Sequence, residues 1–220
     1  MGHGKGMLLG GVAGIVPCEV TIIGSGIGAC AAAASAIGAG ATVRMLDNDV
    51  YRLREASRLA PGIITSALHT RVLQHSLRSA DIVIATEVSP RYVINSDMVA
   101  EMKREVVIMD INHDCSPMFP SLPAIDISTI TDFAGQALPG RVCYVGAGNA
   151  VPRTAAMALG NTFLRLMNDI IACDGVVNTV KMLPGIQRAV YTYMGKAVNP
   201  CIAKIADVRA MDIALLLNCS

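Results

Sequence analysis

The regular alternation of short, β-branched runs with helical patterns constrains the fold of this chain more than any other feature. Near-continuous apolar runs such as DIVIA and EVVIMDI are typical of parallel strands that are buried on both faces. The pattern predicts strands at residues 19–23, 42–46, 62–66, 81–85, 105–111 and 141–145, and helices at 27–37, 50–59, 71–79 and 96–104. We therefore predict an α/β fold with a Rossmann-like, doubly wound sheet of about six or seven mostly parallel strands.

The character of the sequence changes twice beyond the fifth predicted strand. Residues 114–140 are loop-like and contain Pro117, Pro120, Pro123 and Pro139, which is typical of a functional loop or an excursion at the sheet edge. From residue 151 onward the strand patterns are lost, and helices interrupted by glycine and proline are predicted. We divide the chain into a lead-in at 1–18, a Rossmann domain at 19–150 and a helical C-terminal extension at 151–220.

Composition and charge exclude several classes of partner. Of the 220 residues, 53% are hydrophobic and 16% are charged, and the formal net charge is +1. The basic residues form no block, so we expect neither nucleic acid nor a membrane surface as a partner. No apolar run reaches the ~20 residues of a membrane span. The 7 cysteines form no CxxC pair or zinc-type cluster, which predicts no metal site, free thiols and a cytoplasmic location.

The glycine-rich stretch GSGIGA at residues 24–29 fits the pattern G-x-G-x-x-[G/A], directly after a predicted strand and at the start of a predicted helix. Gly24 permits a tight turn, Gly26 lets backbone amides approach a pyrophosphate, and Ala29 lets the helix pack close to the sheet. The phosphates would lie at the helix N-terminus. Asp47, at the end of the next strand, would accept hydrogen bonds from the adenosine ribose. This context predicts a dinucleotide site.

Two features bear on which dinucleotide is bound. A carboxylate at Asp47 repels a 2′-phosphate and favours NAD over NADP, although Arg44 and Arg52 keep that choice open. A glycine-rich turn that binds no dinucleotide is the alternative. A second G-x-G at residues 146–148 follows the last predicted strand, and we interpret it as a loop that faces the same crevice.

Several further stretches carry a family resemblance: GKGMLLGGVAGIVP at 4–17, LDNDVYRLRE at 46–55, SADIVIATEVSP at 79–90, IMDINHD at 108–114 and NAVPRTAAMALGN at 149–161. Together with the glycine turn, in this order and spacing, they resemble alanine dehydrogenase and the NAD(H)-binding part of the transhydrogenase α chain. The resemblance covers essentially the whole chain. It implies NAD as cofactor and the oxidative deamination of L-alanine to pyruvate and ammonia by hydride transfer.

The resemblance also implies which residues contact the cofactor: Gly24, Gly26, Ile27, Ala29, Asp47, Arg52, Glu87, Val88, Ile111, Asn112, His113 and Asn149. Asp114 matches a family aspartate that lies near the nicotinamide and is tied to catalysis. By residue type His113 could act as an acid or base, but the family has an ordinary apolar residue at this position, so the resemblance favours a packing or backbone-binding role. The chain departs from the family pattern at 115–117, where the family has Gln-Gly-Gly, and at 146–148, where the family has Asn-Met-Pro.

The family's substrate-binding arginine and lysine and its catalytic histidine lie in an N-terminal domain, and residues 1–18 resemble the lead-in from that domain. We therefore expect the chain to supply cofactor binding and Asp114, to be inactive alone, and to take its substrate domain from a separate chain. The resemblance also implies a homo-oligomer. Two alternatives stay open: a non-catalytic NAD(H)-binding module, and a hydride-transfer subunit that resembles the transhydrogenase α chain.

Overall fold

The computed structural model describes residues 6–88, 92–113, 117–133 and 141–218. The chain divides into two compact units, one that ends at Val151 and one that begins at Pro152.

A parallel sheet forms the centre of the first unit. Its strands are β1 (Glu19–Ile23), β2 (Thr42–Asp47), β3 (Ile64–Ala67), β4 (Ile82–Ala85), β5 (Val107–Asp110), β6 (Ala124–Asp126) and β7 (Cys143–Val145). Their order across the sheet is β3-β2-β1-β4-β5-β7-β6, and every neighbouring pair of these strands runs parallel. The chain therefore winds in one direction from β1 and then in the other from β4. This confirms the predicted doubly wound, Rossmann-like sheet.

Helices connect these strands: α1 (Ile27–Gly38), α2 (Val50–Leu59), α3 (Thr70–Ser79) and α4 (Ser96–Ala100). Helix α1 buries a face of small residues, Ala29, Ala33 and Ala36, and these pack with residues of β1 and β2. Helix α2 begins at Asp49, whose carboxylate accepts hydrogen bonds from the backbone N–H groups of Tyr51 and Arg52.

The core lies on both faces of the sheet. On β1, Ile22 packs in the apolar cluster that includes α1, whereas Ile23 packs in the cluster that includes α3. Both side chains are fully buried. Successive residues of a strand point to opposite faces, so this division shows why the strands are apolar throughout instead of alternating with polar residues.

The second unit contains the helices α5 (Pro152–Ala172), α6 (Val176–Met182), α7 (Pro184–Gln187), α8 (Pro200–Ile205) and α9 (Ile213–Asn218). It also contains an antiparallel pair, β8 (Thr192–Tyr193) and β9 (Lys196–Ala197), which the sequence did not predict. In the part of the chain that the structure describes, no helix combines the length and apolar character needed to cross a membrane.

Three expectations are corrected. Strand β6 lies inside the stretch that was predicted to be a loop, where it pairs with β7 as the edge of the sheet. The helix predicted at 96–104 ends at Ala100, and the Arg141 guanidinium donates to the carbonyls of Ala100 and Met102 beyond that end. The prediction of free thiols holds for Cys18, Cys30 and Cys173, but Cys201 is in a disulfide.

Candidate functional site

A cleft lies at the carboxyl ends of β1, β4 and β5, where the winding of the sheet reverses. It encloses about 660 Å³, and its walls come from the glycine turn, helix α2 and the residues that follow β4 and β5. Half of the predicted cofactor residues line it: Gly26, Ile27, Arg52, Glu87, Ile111 and Asn112. Open α/β sheets bind ligands in this crevice, outside the strand ends.

The first glycine of the turn is required by the protein itself. Gly24 has φ +103°, and its N–H donates to the Leu46 carbonyl at 2.7 Å. A Cβ here would collide with the Thr86 hydroxyl and lie 2.5 Å from the Glu87 carbonyl oxygen. Gly24 therefore brings the end of β1 against the end of β4, as the tight turn of the motif demands.

The second and third glycines of the turn have a different environment. A Cβ on Gly26 or Gly28 would meet no atom within 4 Å, and both residues line the cleft. Gly26 has φ −73°, a value that any residue adopts. No packing contact requires glycine at these two positions. The absence of a side chain instead leaves the backbone of Gly26 and Gly28 accessible from the cleft.

The start of helix α1 suits an anion. Gly26 is its N-cap and has no side chain to accept a hydrogen bond from the first turn, and the first turn contains no acidic residue. The first N–H groups of a helix have no partner within the helix, and the helix dipole favours negative charge at this end. A pyrophosphate against the backbone of Gly26–Gly28 fits this arrangement.

Asp47 lies beneath the glycine turn. Only 2% of the residue is exposed, and it is not among the described residues that line the cleft. Its Oδ2 accepts a hydrogen bond from Ser25 Oγ at 2.6 Å, and its Oδ1 accepts one from the Asp49 N–H at 3.0 Å. The carboxylate thus joins the glycine turn to the start of α2. Ser25, which lines the cleft, was not identified from the sequence because a serine between two glycines belongs to no motif.

Helix α2 supplies the adjacent wall. Tyr51, Arg52 and Glu55 line the cleft, and 81% of Tyr51 is exposed. Arg52 Nε lies 3.8 Å from Asp49 Oδ2, and about half of each side chain is exposed. An exposed pair of this kind contributes little energy, so the guanidinium is free to turn towards a phosphate or ribose.

The predicted contacts after β4 and β5 differ in their access to the cleft. The side chain of Val88 is buried in the core, which leaves only its backbone for a ligand. His113 Nδ1 lies 3.8 Å from Asp110 Oδ2 and has no hydrogen-bond partner among the described residues. Asp110 is fully buried and accepts hydrogen bonds from the N–H groups of Asn112 and Met118. Asp114 lies outside the described residues.

Asn149 belongs to a polar cluster beyond β6 and β7. Its Nδ2 donates to Asp126 Oδ2 at 2.6 Å, and Asp126 also accepts from the hydroxyl and N–H of Ser128. The Ser128 hydroxyl, the Ser128 N–H and the Asn149 amide together hold the pKa of Asp126 below its usual value. Gly146, at φ +68°, approaches both carboxylate and amide so closely that a Cβ would collide with them. Asn149 is not among the described residues that line the cleft.

The cleft also contains a thiol. Cys30 lines the cleft, where its Sγ donates to the Ser25 carbonyl at 3.7 Å, and burial raises the pKa of the thiol. A thiol in this state is a weak nucleophile. Over the described ranges, no group of three or more His, Cys, Asp or Glu residues is placed to hold a metal ion.

The sheet order and the glycine turn define a Rossmann-like α/β fold with a cleft where the winding of the sheet reverses. The model of the family "Alanine dehydrogenase/PNT, C-terminal domain" matches residues 1–200. This chain belongs to that family.

Curated relatives agree with the family match. The chain is 31% identical over 208 residues to an alanine dehydrogenase of Staphylococcus haemolyticus, covering 91% of this chain and 55% of the relative. It is 30% identical over 222 residues to an alanine dehydrogenase of Staphylococcus saprophyticus, covering 98% and 59%. The chain therefore spans somewhat more than half the length of these relatives.

Solved structures share the fold. An L-alanine dehydrogenase superposes with a TM-score of 0.71 at 22% identity, covering 93% of this chain and 57% of that one. A transhydrogenase from Sinorhizobium meliloti superposes with a TM-score of 0.57 at 16% identity, covering 72% and 47%.

Proposed function

We propose that this chain is the NAD(H)-binding part of an oxidoreductase of the alanine dehydrogenase type. The observation that carries the proposal is the cleft at the β1–β4 reversal, in which the open glycine backbone and the uncapped start of α1 face the same space. The pyrophosphate lies on Gly26–Gly28, and the adenosine lies towards α2. When bound, the nicotinamide cofactor supplies the hydride chemistry.

Different described residues would contact different parts of the cofactor. The α1 N-terminus neutralises the pyrophosphate, and Arg52 adds a cationic group beside it. Asp47 and Ser25 shape the ribose end, while Ile111 and Asn112 line the far side, where the nicotinamide would lie. Asp114, which lies outside the described residues, stays the proposed catalytic residue.

The reaction that we propose is the oxidation of L-alanine to pyruvate and ammonia with NAD as hydride acceptor. Two observations support it: the family match over residues 1–200 and the relatives that are named alanine dehydrogenase. This reaction belongs to the whole protein of the relatives, of which the chain spans 55–59%.

A non-catalytic nucleotide-binding module is the second candidate. Two observations favour it: the Asn149 amide donates to Asp126, and the Val88 side chain after β4 is buried in the core. The side chains of these two predicted cofactor contacts therefore already have partners within the protein. A module of this kind would bind NADH without oxidising alanine.

Calorimetric titration of the chain with NADH, with ADP-ribose and with nicotinamide mononucleotide tests the proposal. We expect saturable binding of NADH and ADP-ribose, because most described contacts face the phosphates and adenosine. An assay of alanine-dependent NADH formation in the same sample then separates the dehydrogenase from the non-catalytic module. Failure of NADH to bind would contradict both.

The proposal includes a homo-oligomer and contact with a further chain. Helix α5 supports it, because Phe163, Leu164 and Ile171 are each more than half exposed. Apolar surface of this extent is typical of protein contacts. Light scattering after gel filtration tests the state of assembly, and a monomer that stays soluble at high concentration would contradict it.

We also propose a cytoplasmic location. The disulfide at Cys201 is unusual for that compartment, in which thiols are kept reduced. Alkylation of cysteines in intact cells, followed by mass spectrometry, measures whether Cys201 is reduced in place. If Cys201 were oxidised in all copies of the protein in these cells, the cytoplasmic location would be contradicted.

A further inference from the structure

Helix α5 presents an exposed apolar stripe. The helix lies entirely within the described residues, and none of its residues is buried. The α5 stripe runs along one face of the helix at the spacing of helical turns and consists of Ala156, Gly160, Phe163, Leu164, Met167 and Ile171. Its four large side chains are 50–73% exposed. Exposure of this extent on one continuous face is typical of a surface that binds another protein.

The α5 stripe is complementary to itself when two copies of the helix run antiparallel. Centred between Phe163 and Leu164, such a pair sets three kinds of residue opposite each other: Ala156 and the partner's Ile171, Gly160 and the partner's Met167, and Phe163 and the partner's Leu164. Small residues then face large ones, so the two surfaces interdigitate. A parallel pair would instead set isoleucine against isoleucine and glycine against glycine. The stripe therefore fits a second copy of itself in the antiparallel direction.

The charges at the two ends of α5 have the same symmetry. Arg153 lies in the first turn of the helix, and Asp174 lies two residues beyond its end. An antiparallel pair with the same centre sets Arg153 opposite the partner's Asp174. Both residues are exposed, and neither side chain forms an ion pair with another of the described residues. Each charge is therefore available to a second copy.

Both charges are also at the unfavourable end of their own helix. The helix dipole favours anions at the N-terminus and cations at the C-terminus, whereas Arg153 and Asp174 are placed the other way round. In an antiparallel pair, Arg153 lies beside the C-terminus of the partner helix, and Asp174 lies beside its N-terminus. A parallel pair would bring like charges together. Exposed ion pairs contribute little energy, so these charges set the direction and register, and the apolar stripe supplies the affinity.

We propose that the α5 stripe is a self-association surface, on which a second copy of this chain binds antiparallel with Arg153 facing the partner's Asp174. The two-fold axis passes between Phe163 and Leu164, and each copy contributes the same residues, as in any isologous contact. This inference rests on the homo-oligomer within the proposed function and names its surface, direction and register. One pair of helices is a small interface, so we expect a weak and reversible dimer.

Sedimentation equilibrium over a range of concentrations measures the Kd of the chain and of its charge variants. Arg153→Asp replaces attraction with repulsion at two symmetric sites and should weaken the dimer by about tenfold. An aspartate suits a helix N-terminus, so this loss cannot come from a weakened helix. Asp174→Arg should weaken the dimer by a similar factor.

The decisive sample is an equimolar mixture of the Arg153→Asp and Asp174→Arg variants. Each variant alone sets like charges across the contact. A mixed dimer restores two pairs of opposite charge, although no single chain carries such a pair. We therefore expect the mixture to recover most of the affinity that each variant alone has lost.

Three further variants serve as controls. Arg165→Asp makes the same charge change on the opposite face of α5 and should leave the Kd unchanged. Phe163→Glu places a charge beside the proposed axis and should abolish association. Because Asp174 has φ +57°, Asp174→Asn removes the charge while keeping a residue that tolerates this conformation, and it should weaken the dimer less than Asp174→Arg. Circular dichroism confirms that each variant is folded.

Several results would overturn the inference. An assembly that Arg153→Asp and Phe163→Glu both leave unchanged would use another surface, which keeps the proposed homo-oligomer. A mixture that recovers no affinity would refute the antiparallel register. A chain that stays monomeric would assign the α5 stripe to a different partner and would also contradict the homo-oligomer. NADH titration of the same samples remains a separate test of the nucleotide site.

Discussion

Replacing Gly24 with alanine should destabilise the fold, whereas replacing Gly26 should spare the fold and weaken cofactor binding. At Gly24, φ is +103° and a Cβ would lie 2.5 Å from the Glu87 carbonyl oxygen. Positive φ costs an L-residue about 1–2 kcal/mol, and overpacking adds about 1–3 kcal/mol. We therefore expect a loss of about 2–5 kcal/mol in the free energy of unfolding and a fall in Tm of about 4–20 °C.

At Gly26 the same substitution should change the free energy of unfolding little. The residue has φ −73°, and a Cβ would meet no atom within 4 Å. Gly→Ala at a compatible backbone position stabilises by about 0.4–1 kcal/mol through the unfolded state. Alanine is a poorer N-cap than glycine by a similar amount, so the two effects nearly cancel. The added methyl group, however, occupies the space through which a phosphate reaches the backbone. Loss of a charge-assisted hydrogen bond should lower NADH affinity by about 10- to 100-fold.

The assay pairs thermal unfolding with NADH calorimetry on both variants. NADH binding of Gly24→Ala is measured below its lowered Tm, so that loss of folded protein is not mistaken for loss of affinity. The reasoning would be refuted if Gly26→Ala unfolded as early as Gly24→Ala, or if Gly26→Ala bound NADH as tightly as the unaltered chain.

Three other predictions concern side chains around the site. Asp49→Ala removes the cap of α2 and should lower the free energy of unfolding by about 1 kcal/mol, measured by urea denaturation. Asp110→Ala leaves a buried backbone N–H without its acceptor and should cost about 1–3 kcal/mol in the same assay. Asn149→Ala should raise the pKa of Asp126 only part of the way to its usual value, because Ser128 donates the larger share. Carboxyl NMR titration measures this shift. Because the folded pKa is lowered, the stability due to Asp126 is present above the unfolded pKa of about 3.9 and is lost as pH falls through the folded value.

The parts of the fold that the sequence predicted are those with long local signals. Strands β1 and β2 and helices α1 and α2 lie within one or two residues of their predicted bounds, because apolar runs and helical periodicity extend over several residues. Strand β6 has three residues, and β8 and β9 have two each, which is too short for any periodicity to show. These strands are specified by their pairing partners, which the local sequence does not reveal.

The candidate site also combines features that a local motif predicts with features that depend on tertiary contacts. The glycine turn is one contiguous motif, and its position at the mouth of the cleft was predicted. The Ser25–Asp47 hydrogen bond joins residues that are 22 positions apart, and the burial of Asp47 depends on α2 and on Asp49. Likewise, the Asn149 amide is committed to Asp126, 23 positions away, a contact that exists only because β6 and β7 pair. The ribose role of Asp47 was assigned from the motif and the cofactor contact of Asn149 by resemblance, and both remain predictions.

The most direct test of the central claim is an NMR titration of the isotope-labelled chain with NADH, followed through its backbone amides. The account predicts saturable shifts that are largest at Gly26, Ile27 and Gly28, with smaller shifts at Arg52 and Asn112. Saturable shifts centred elsewhere, such as on residues 176–194 of the second unit, or no saturable shift at all, would contradict a nucleotide site at the start of α1.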